Sequence, residues 1–561
     1  MRQRPRRSCA LYHSPRCRIN AAFRAPERIS KGMPGRTRHF AALRSGPSEN
    51  RHRFVALKSV RLKLDPKAPV LYSRPMALAQ RLSASPFWTI LVLSLALFLS
   101  GNWVLPLMDR DEPRFAEASR EMLARGDLVT PWFNAEFRFD KPPLIYWCQM
   151  ACYRLLGENA FAARLPSALF ATATAVLLLF WGRRMGNERA GLYAALMLST
   201  CLQFLIHGRL AVADMPMVFF VSVAFWSGWE MTRPEPKPEP KWFWVFYLSL
   251  GLGFLAKGPV AWLPLAGLML ARWFHPGDFQ LPVFKTVCGL VVALFVVGVW
   301  GVPALLETRG QFFTVGIGHH VVFRSFGIME GHGGPGWLGW IVTLPLYLIT
   351  FFVSFFPWAF KVPFAVSTWW HGRRQDLFGS YLLLQAAVVF AVFTLVRTKL
   401  PHYTLPAFPA ISLWLAMRMT CTPDYSPWIR RGVISMCVLS AGVTLLLFRA
   451  ARPYFVAATL WRQAGPFCSR DMELAAVGFN EPSLVWEFRR GVTNYLEQLT
   501  IEQAGTFLAK PSPHVLILPT RDVSAELRGM ATNALMFEAA GLDTARFRRI
   551  DLTAIVKPAA K

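Results

Sequence analysis

Met108-Asp109-Arg110-Asp111-Glu112-Pro113-Arg114-Phe115-Ala116-Glu117 follows directly on the apolar run 86–107, and Phe139-Asp140-Lys141-Pro142-Pro143-Leu144-Ile145-Tyr146-Trp147 comes shortly after it. The run 86–107 is long and apolar enough to cross a bilayer. Acids and bases packed at its end are costly unless they do something. Asp111-Glu112-Pro113 has the form of a helix start, with acids in the first turn and a proline near the first helical position. Glu112, Arg114, Glu117 and Glu121 then follow at spacings that ladder charge along a short helix, and Lys141-Pro142-Pro143 opens a second one. Two short amphipathic helices at a membrane face would form a platform. A solvated, charge-balanced loop capping a membrane helix is the plainer alternative.

Composition places the chain in the membrane class. Of 561 residues, 53% are hydrophobic and 17% charged, with 21 Trp and 45 Phe, more aromatics than a soluble core needs. The net charge of +29 does not point to a nucleic acid, because residues 1–75 hold 19 Lys/Arg against 3 acids and the remaining 486 carry only +13. That leading stretch, rich in Arg, Pro, Ser and His, has neither a sustained apolar period nor the apolar middle of a signal peptide. It reads as a basic disordered tail over 1–80. Met76 opens a segment that looks like an ordinary start of a polytopic protein, so translation is expected to begin there; the alternative is a basic tail lying on anionic lipid. Nine cysteines form no CxxC pair and no zinc spacing, so Cys201, Cys288 and Cys437 read as small buried hydrophobes.

Apolar runs near 87–107, 165–181, 190–206, 215–231, 242–256, 259–273, 286–306, 337–360, 377–396, 404–417 and 432–448 make about eleven expected spans in a domain over 81–448. With the N-terminus inside, the inner loops hold 14 Lys/Arg and the outer loops after the first hold six, which sets the orientation. The first loop, 108–164, is nearly charge-balanced and does not reverse it. Asp111, Glu112, Lys141, His207, Asp214, Lys257, His319, His320, His332, Lys399, His402 and Tyr403 then fall on the outer side. Residues 449–561 are soluble in character and contain Val515-Leu516-Ile517-Leu518 bounded by prolines, a buried-strand pattern. A small α/β domain outside the membrane is expected there.

Several of these residues could carry chemistry. Asp111 and Glu112 are adjacent and point about 100° apart on a helix, so one can act while the other holds; a partly desolvated carboxylate suits a general base. Each could instead pair with Arg110 or Arg114. Lys141, Lys257 and Lys399 are each followed by Pro, Gly-Pro or Leu-Pro at the outer end of a run. Singly such lysines snorkel; converging, they would bind phosphate. Tyr403 could add a hydroxyl. Asp214 stands at the mouth of a span, where an acid is functional by default. His319 and His320 lie in the loop 306–336, whose second half is glycine-rich.

Arg110-Asp111-Glu112-Pro113-Arg114-Phe115-Ala116-Glu117, Phe139-Asp140-Lys141-Pro142-Pro143-Leu144, Ala213-Asp214-Met215-Pro216, Leu255-Ala256-Lys257-Gly258-Pro259 and Lys399-Leu400-Pro401-His402-Tyr403-Thr404-Leu405-Pro406 occur in this order. With Glu481-Pro482-Ser483-Leu484 in the tail, they resemble the motifs of the aminoarabinose transferase group of polyprenyl-phosphate-sugar glycosyltransferases, relatives of protein O-mannosyltransferases. The resemblance implies an all-α polytopic membrane protein with a C-type glycosyltransferase fold and amphipathic periplasmic helices in the first loop. It implies a lipid-linked sugar phosphate donor, inverting transfer, and lipid A as acceptor. By the same likeness Asp111 is the candidate base or acceptor-orienting acid, Lys141 the contact to the donor phosphate, and Asp214, Lys257, Lys399 and Tyr403 further pocket residues; Glu112 stands beside Asp111 as a second candidate catalytic acid, and His319 as a further candidate substrate contact. Asp140 and His320 would be the positions for a divalent metal such as zinc. The acid before Lys141 is Asp where the family more often has Glu.

The expected activity is therefore a glycosyltransferase of the bacterial inner membrane with its site facing the periplasm. The expected sugar is 4-amino-4-deoxy-L-arabinose, moved from a polyprenyl phosphate to lipid A. Transfer to protein or another glycan is the alternative of the same chemistry. A transporter is the rival of another class, but it would favour paired repeats and broken midplane helices. No Walker or GxGxxG pattern calls for a nucleotide cofactor, and no nucleic-acid partner is expected.

Overall fold

The computed structural model describes residues 85–558 except 237, 324–326, 328–335, 374, 421–424 and 532, and the side chains of His320 and Val321 also lie outside the description. The expected basic tail, 1–80, falls outside the described residues.

The membrane part is mainly helical. Its helices are α1 (Pro86–Leu99), α2 (Asp111–Arg125), α3 (Leu144–Leu156), α4 (Ala160–Arg184), α5 (Glu188–Thr200), α6 (Leu202–His207), α7 (Asp214–Thr232), α8 (Lys241–Lys257) and α9 (Leu263–Phe274). Then come α10 (Val283–Glu307), α11 (Gly336–Val342), α12 (Leu346–Ser354), α13 (Val362–Gly372), α14 (Leu377–Leu395), α15 (Phe408–Met419), α16 (Tyr425–Gly442) and α17 (Phe448–Ala451). Among the described residues, five helical runs, some joined across short turns, are long and apolar enough to cross a membrane: Ala160–Arg184, Lys241–Phe274, Val283–Glu307, Leu377–Leu395 and Tyr425–Tyr454. A sixth is added if Gly336–Val342 and Leu346–Ser354, bent by 43°, make one span.

That is fewer than the eleven expected, and the reason is local. The run 190–206 breaks at Cys201 into α5 and the six-residue α6. The runs 242–256 and 259–273 join through the 3₁₀ turn Gly258–Trp262. The run 404–417 begins as the 3₁₀ segment Pro401–Ala407, leaving α15 only 12 residues. Apolarity continues through these breaks while the helix does not. On α10 only 22% of the apolar window is buried, and Cys288 is exposed there, unlike the buried Cys201. A helix that shows so much apolar surface fits a lipid environment.

The first-loop helices start where the acids and prolines place them. α2 begins at Asp111 and ends at Gly126, whose φ of 69° is the left-handed cap a glycine adopts without strain. α3 begins after Pro143. Phe115, Ala118 and Met122 of α2 pack on Ile145, Tyr146 and Met150 of α3. α2 is buried on most sides rather than along one stripe: Glu112, Glu117, Arg120 and Glu121 are all buried.

After α17, α18 (Val456–Ala464) leads into a mixed sheet of β3 (Glu473–Val477), β4 (Leu496–Leu499), β5 (His514–Pro519), β6 (Leu535–Asp543) and β7 (Arg548–Lys557). Two short strands of the first loop, β1 (Trp132–Phe133) and β2 (Glu136–Phe137), form a separate hairpin. The five-stranded order is β4-β3-β5-β7-β6, with β4, β3 and β5 parallel and β7 antiparallel to both its neighbours. Parallel pairing needs crossovers, supplied by α19 (Pro482–Phe488) and α20 (Ile501–Leu508). α21 (Ala525–Met530) packs with α20 on one face, and α18 and α19 cover the other. Both faces of β5 are therefore covered, and that is why Val515-Leu516-Ile517-Leu518 reads as an unbroken apolar run.

Candidate functional site

The tetrapeptide Asp109-Arg110-Asp111-Glu112 is tied down at three of its four side chains. Glu112 faces inward: its two oxygens accept from Arg164 Nε and Nη2, each at 2.7 Å, from Met108 N at 3.0 Å and from Ala211 N at 2.8 Å. Arg164 spends its other donors on the carbonyls of Asn102, Leu105 and Pro106 at 2.8–2.9 Å, so all five guanidinium N–H groups are used. Asp109 Oδ1 accepts from Ser483 N at 2.7 Å, and Arg110 Nε donates to Glu481 Oε2 at 3.2 Å. Asp111 alone is exposed, and it makes no hydrogen bond or ion pair among the described residues. Its charge bears on Arg138, Tyr146 and His207, so it stands within electrostatic reach of them. Of the two adjacent acids, then, Glu112 is a buried clamp and Asp111 is the open carboxylate. The expectation of Glu112 as a catalytic acid is corrected on that ground.

Beyond this corner lies a cavity of about 380 Å³. Its polar lining comes from Asp140, Lys141, Asp214, Lys257, His402 and Tyr403. The rest is apolar, built by Phe254, Leu263, Val297, Trp300, Phe312 and Phe393. These come from the turn before α3, the start of α7, the end of α8, the start of α9, α10, the π-helical segment Phe312–Phe323, α14 and the 3₁₀ segment Pro401–Ala407. Lys257 stands at the C-terminus of α8, where the dipole favours a cation, and its Nζ is 2.6 Å from Asp214 Oδ1. Asp214 opens α7, where the dipole favours an anion. His402 Nε2 is 3.9 Å from the same Asp214 oxygen, and Tyr403 places its ring 5.8 Å from Lys257 Nζ. Lys141 Nζ donates to the carbonyl of Asp140 at 3.0 Å. Asp140 Oδ2 is 2.9 Å from Arg138, and Arg138 Nε in turn donates to Tyr146 OH at 3.1 Å.

Two expected pocket residues lie elsewhere. Lys399 is buried, and its Nζ donates to the carbonyls of Thr394 and Val396. It caps the end of α14 and does not line the cavity, because the unpaired carbonyls of a helix terminus attract a nearby ammonium. His319 is exposed on the π-helical segment, its ring stacked 5.2 Å from Phe323, while Gly316 and Ile317 of the same segment reach the cavity.

The expected metal pair cannot be assembled from described side chains: Asp140 is engaged by Arg138, and the His320 side chain lies outside the description. Among the described residues the group with metal-like spacing is His207, Asp214 and His402, whose ligand atoms lie within 4.8 Å of one another. Lys257 already sits on Asp214, which supplies the carboxylate with a cation. His207 is fixed by Gln203, whose carbonyl is 3.2 Å from Nδ1, and its ring centroid is 4.9 Å from that of His402.

Arg138 and Arg164 are not singled out by the sequence, and His207 and His402 are placed by it on the outer side without a role. His402 stood inside a motif that had been credited to Lys399 and Tyr403. His207 stood at the end of an apolar run, where a histidine is a signal in itself. Arg138 and Arg164 carried no such signal.

Comparison with known proteins agrees with this picture. Residues 140–301 match the family described as dolichyl-phosphate-mannose-protein mannosyltransferase. An undecaprenyl phosphate-alpha-4-amino-4-deoxy-L-arabinose arabinosyl transferase of Pseudomonas fluorescens is 30% identical over 325 residues, 57% of this chain and 56% of its own length. A similarly named protein of Sodalis glossinidius is 28% identical over 404 residues, 70% of this chain and 69% of its own. The chain spans 58% of the length of a similar, uncharacterised protein of Aquifex aeolicus, so with several relatives it shares little more than half of theirs. ArnT from Cupriavidus metallidurans in the apo state superposes with a TM-score of 0.65 at 18% identity, covering 86% of this chain and 100% of that one. The same protein bound to undecaprenyl phosphate gives 0.64, covering 83% and 97%. The resemblance read from the motifs therefore holds, and the fold is the C-type glycosyltransferase fold of a multi-pass membrane protein.

Proposed function

We propose that this chain is a glycosyltransferase of the inner membrane that moves a sugar from a polyprenyl phosphate to an acceptor at the periplasmic face. The observation that carries this reading is the cavity itself, a mainly apolar chamber with two lysines, Lys141 and Lys257, in its wall. A polyprenyl phosphate has the matching chemistry, an apolar tail and an anionic head. Transfer breaks the bond between the anomeric carbon and the phosphate oxygen and forms one to the acceptor oxygen, whose proton must leave. Lys141 and Lys257 stabilise the charge that develops on the departing phosphate. Asp111 takes the acceptor's proton. The names of the relatives suggest 4-amino-4-deoxy-L-arabinose as the sugar, and lipid A is the acceptor that the motif resemblance implies. Protein or another glycan is the alternative acceptor. Against a transporter stands the convergence of the ionisable groups in one chamber rather than in paired repeats.

The test uses the purified full chain in lipid nanodiscs with undecaprenyl phosphate-linked 4-amino-4-deoxy-L-arabinose and lipid A, product being followed by mass. Turnover is expected, with Asp111→Asn slower by about 10²–10⁴-fold and Lys141→Ala by about 10²–10³-fold, both remaining folded. Near-normal turnover in both variants would contradict the roles. A wild-type chain that leaves the lipid-linked sugar intact with every acceptor offered would remove the reading altogether.

A further inference from the structure

The soluble C-terminal domain reaches the membrane part at the tetrapeptide that carries Asp111. The motif Glu481-Pro482-Ser483 follows β3 and starts α19, with Pro482 at the first helical position. A helix start leaves backbone N–H groups without partners, and the one on Ser483 is taken by Asp109 across 374 residues of chain. Asp109 N returns a bond to Thr544 Oγ1 at 3.2 Å. One residue on, Arg110 pairs with Glu481, which is 3% exposed and lies 3.9 Å from Arg546 on its other oxygen. Further along α2, Arg489 Nη1 sits 2.7 Å from both Glu117 and Glu121, and Arg120 lies over the Trp486 ring at 4.7 Å.

From the opposite side, Arg164 of α4 holds Glu112. Consecutive Cα atoms are about 3.8 Å apart, so the residue between Arg110 and Glu112 has its backbone pinned from both flanks by different parts of the protein. That residue is Asp111. Building on the reading above, we propose that the C-terminal domain is a positioning element of the transfer site, with Ser483 and Glu481 holding Asp109 and Arg110 so that Asp111 faces the acceptor. The laddered charges of α2, which look catalytic in sequence, then serve this docking. The domain works through Asp111 and touches no substrate.

Positioning of this kind affects the chemical step. Asp109→Ala and Glu481→Ala are each expected to lower kcat by about 10²-fold, the cost of a small misplacement, with KM for the lipid-linked sugar unchanged because Lys141 and Lys257 are untouched. Asp109→Asn and Glu481→Gln keep an oxygen for Ser483 N–H and Arg110 Nε–H and should recover most of kcat. Deuterium uptake by peptides spanning 108–116 should rise in the alanine variants, a readout that needs no sugar and survives a wrong donor. Wild-type kcat and wild-type uptake in Asp109→Ala and Glu481→Ala would overturn the proposal. So would a rise in KM that accounts for the whole loss, or conservative variants as impaired as the alanine ones.

Discussion

Replacing Glu112 by alanine separates a structural acid from a working one at adjacent positions. In the folded protein Glu112 satisfies Arg164 bidentately at 2.7 Å and accepts from the backbone of Met108 and Ala211. Both partners of the pair are nearly inaccessible to solvent. Glu112→Ala leaves a buried guanidinium without its counter-charge and two backbone N–H groups without an acceptor. Loss of one partner from a buried pair costs about 3–5 kcal/mol. The orphaned amides are not added on top, because contacts within one network are not additive. Arg164→Ala should cost a similar amount, and the double variant much less than the sum, since the leftover charge disappears. Arg164→Lys should rescue little, because an ammonium cannot reproduce the fork that also holds Asn102, Leu105 and Pro106. The assay is denaturant unfolding of the purified chain followed by tryptophan emission, with transfer rate measured alongside. Asp111→Asn should leave the midpoint unchanged while turnover falls. If Glu112→Ala kept its stability and lost only turnover, the clamp would be refuted and Glu112 restored as the acting acid.

Two further outcomes follow from the same geometry. Burial raises the Asp109 carboxyl from the ordinary 3.8 to about 7, with Glu481 and Asp543 adding repulsion against the opposing bond from Ser483; the folded state therefore holds this proton more tightly than the unfolded chain. That contribution to stability is fully present below about pH 3.8 and is lost as pH rises through about 7, so thermal midpoints of Asp109→Asn should vary less with pH across this window than those of the wild type, and parallel curves would refute it. Lys399→Met removes the ammonium that caps α14 but nothing that lines the cavity. It should cost about 1 kcal/mol of stability or less and leave affinity for undecaprenyl phosphate, measured by titration calorimetry, as it was; a large drop in affinity would return Lys399 to the site.

Read alone, the sequence determined what depends on neighbours along the chain. The apolar runs declare a membrane protein, Asp111-Glu112-Pro113 and Lys141-Pro142-Pro143 declare helix starts, and Val515-Leu516-Ile517-Leu518 declares a strand covered on both faces. The order of five motifs pointed to the family resemblance and to most of the cavity's polar lining, because Lys141, Asp214, Lys257 and Tyr403 all stand inside those motifs. Only the tertiary structure could decide which way a side chain faces. Glu112 and Asp111 are adjacent and chemically alike, and Arg164, 52 residues away, is what makes one a clamp and leaves the other open. Lys399 resembles Lys257 in its proline context, yet one meets the carbonyls of its own helix end and the other meets Asp214 from a different helix. The charges of α2 look like chemistry until Arg489 and Trp486 arrive from the far end of the chain to meet them. Long-range pairing leaves no periodicity in a sequence, and for that reason partners, unlike elements, had to be seen.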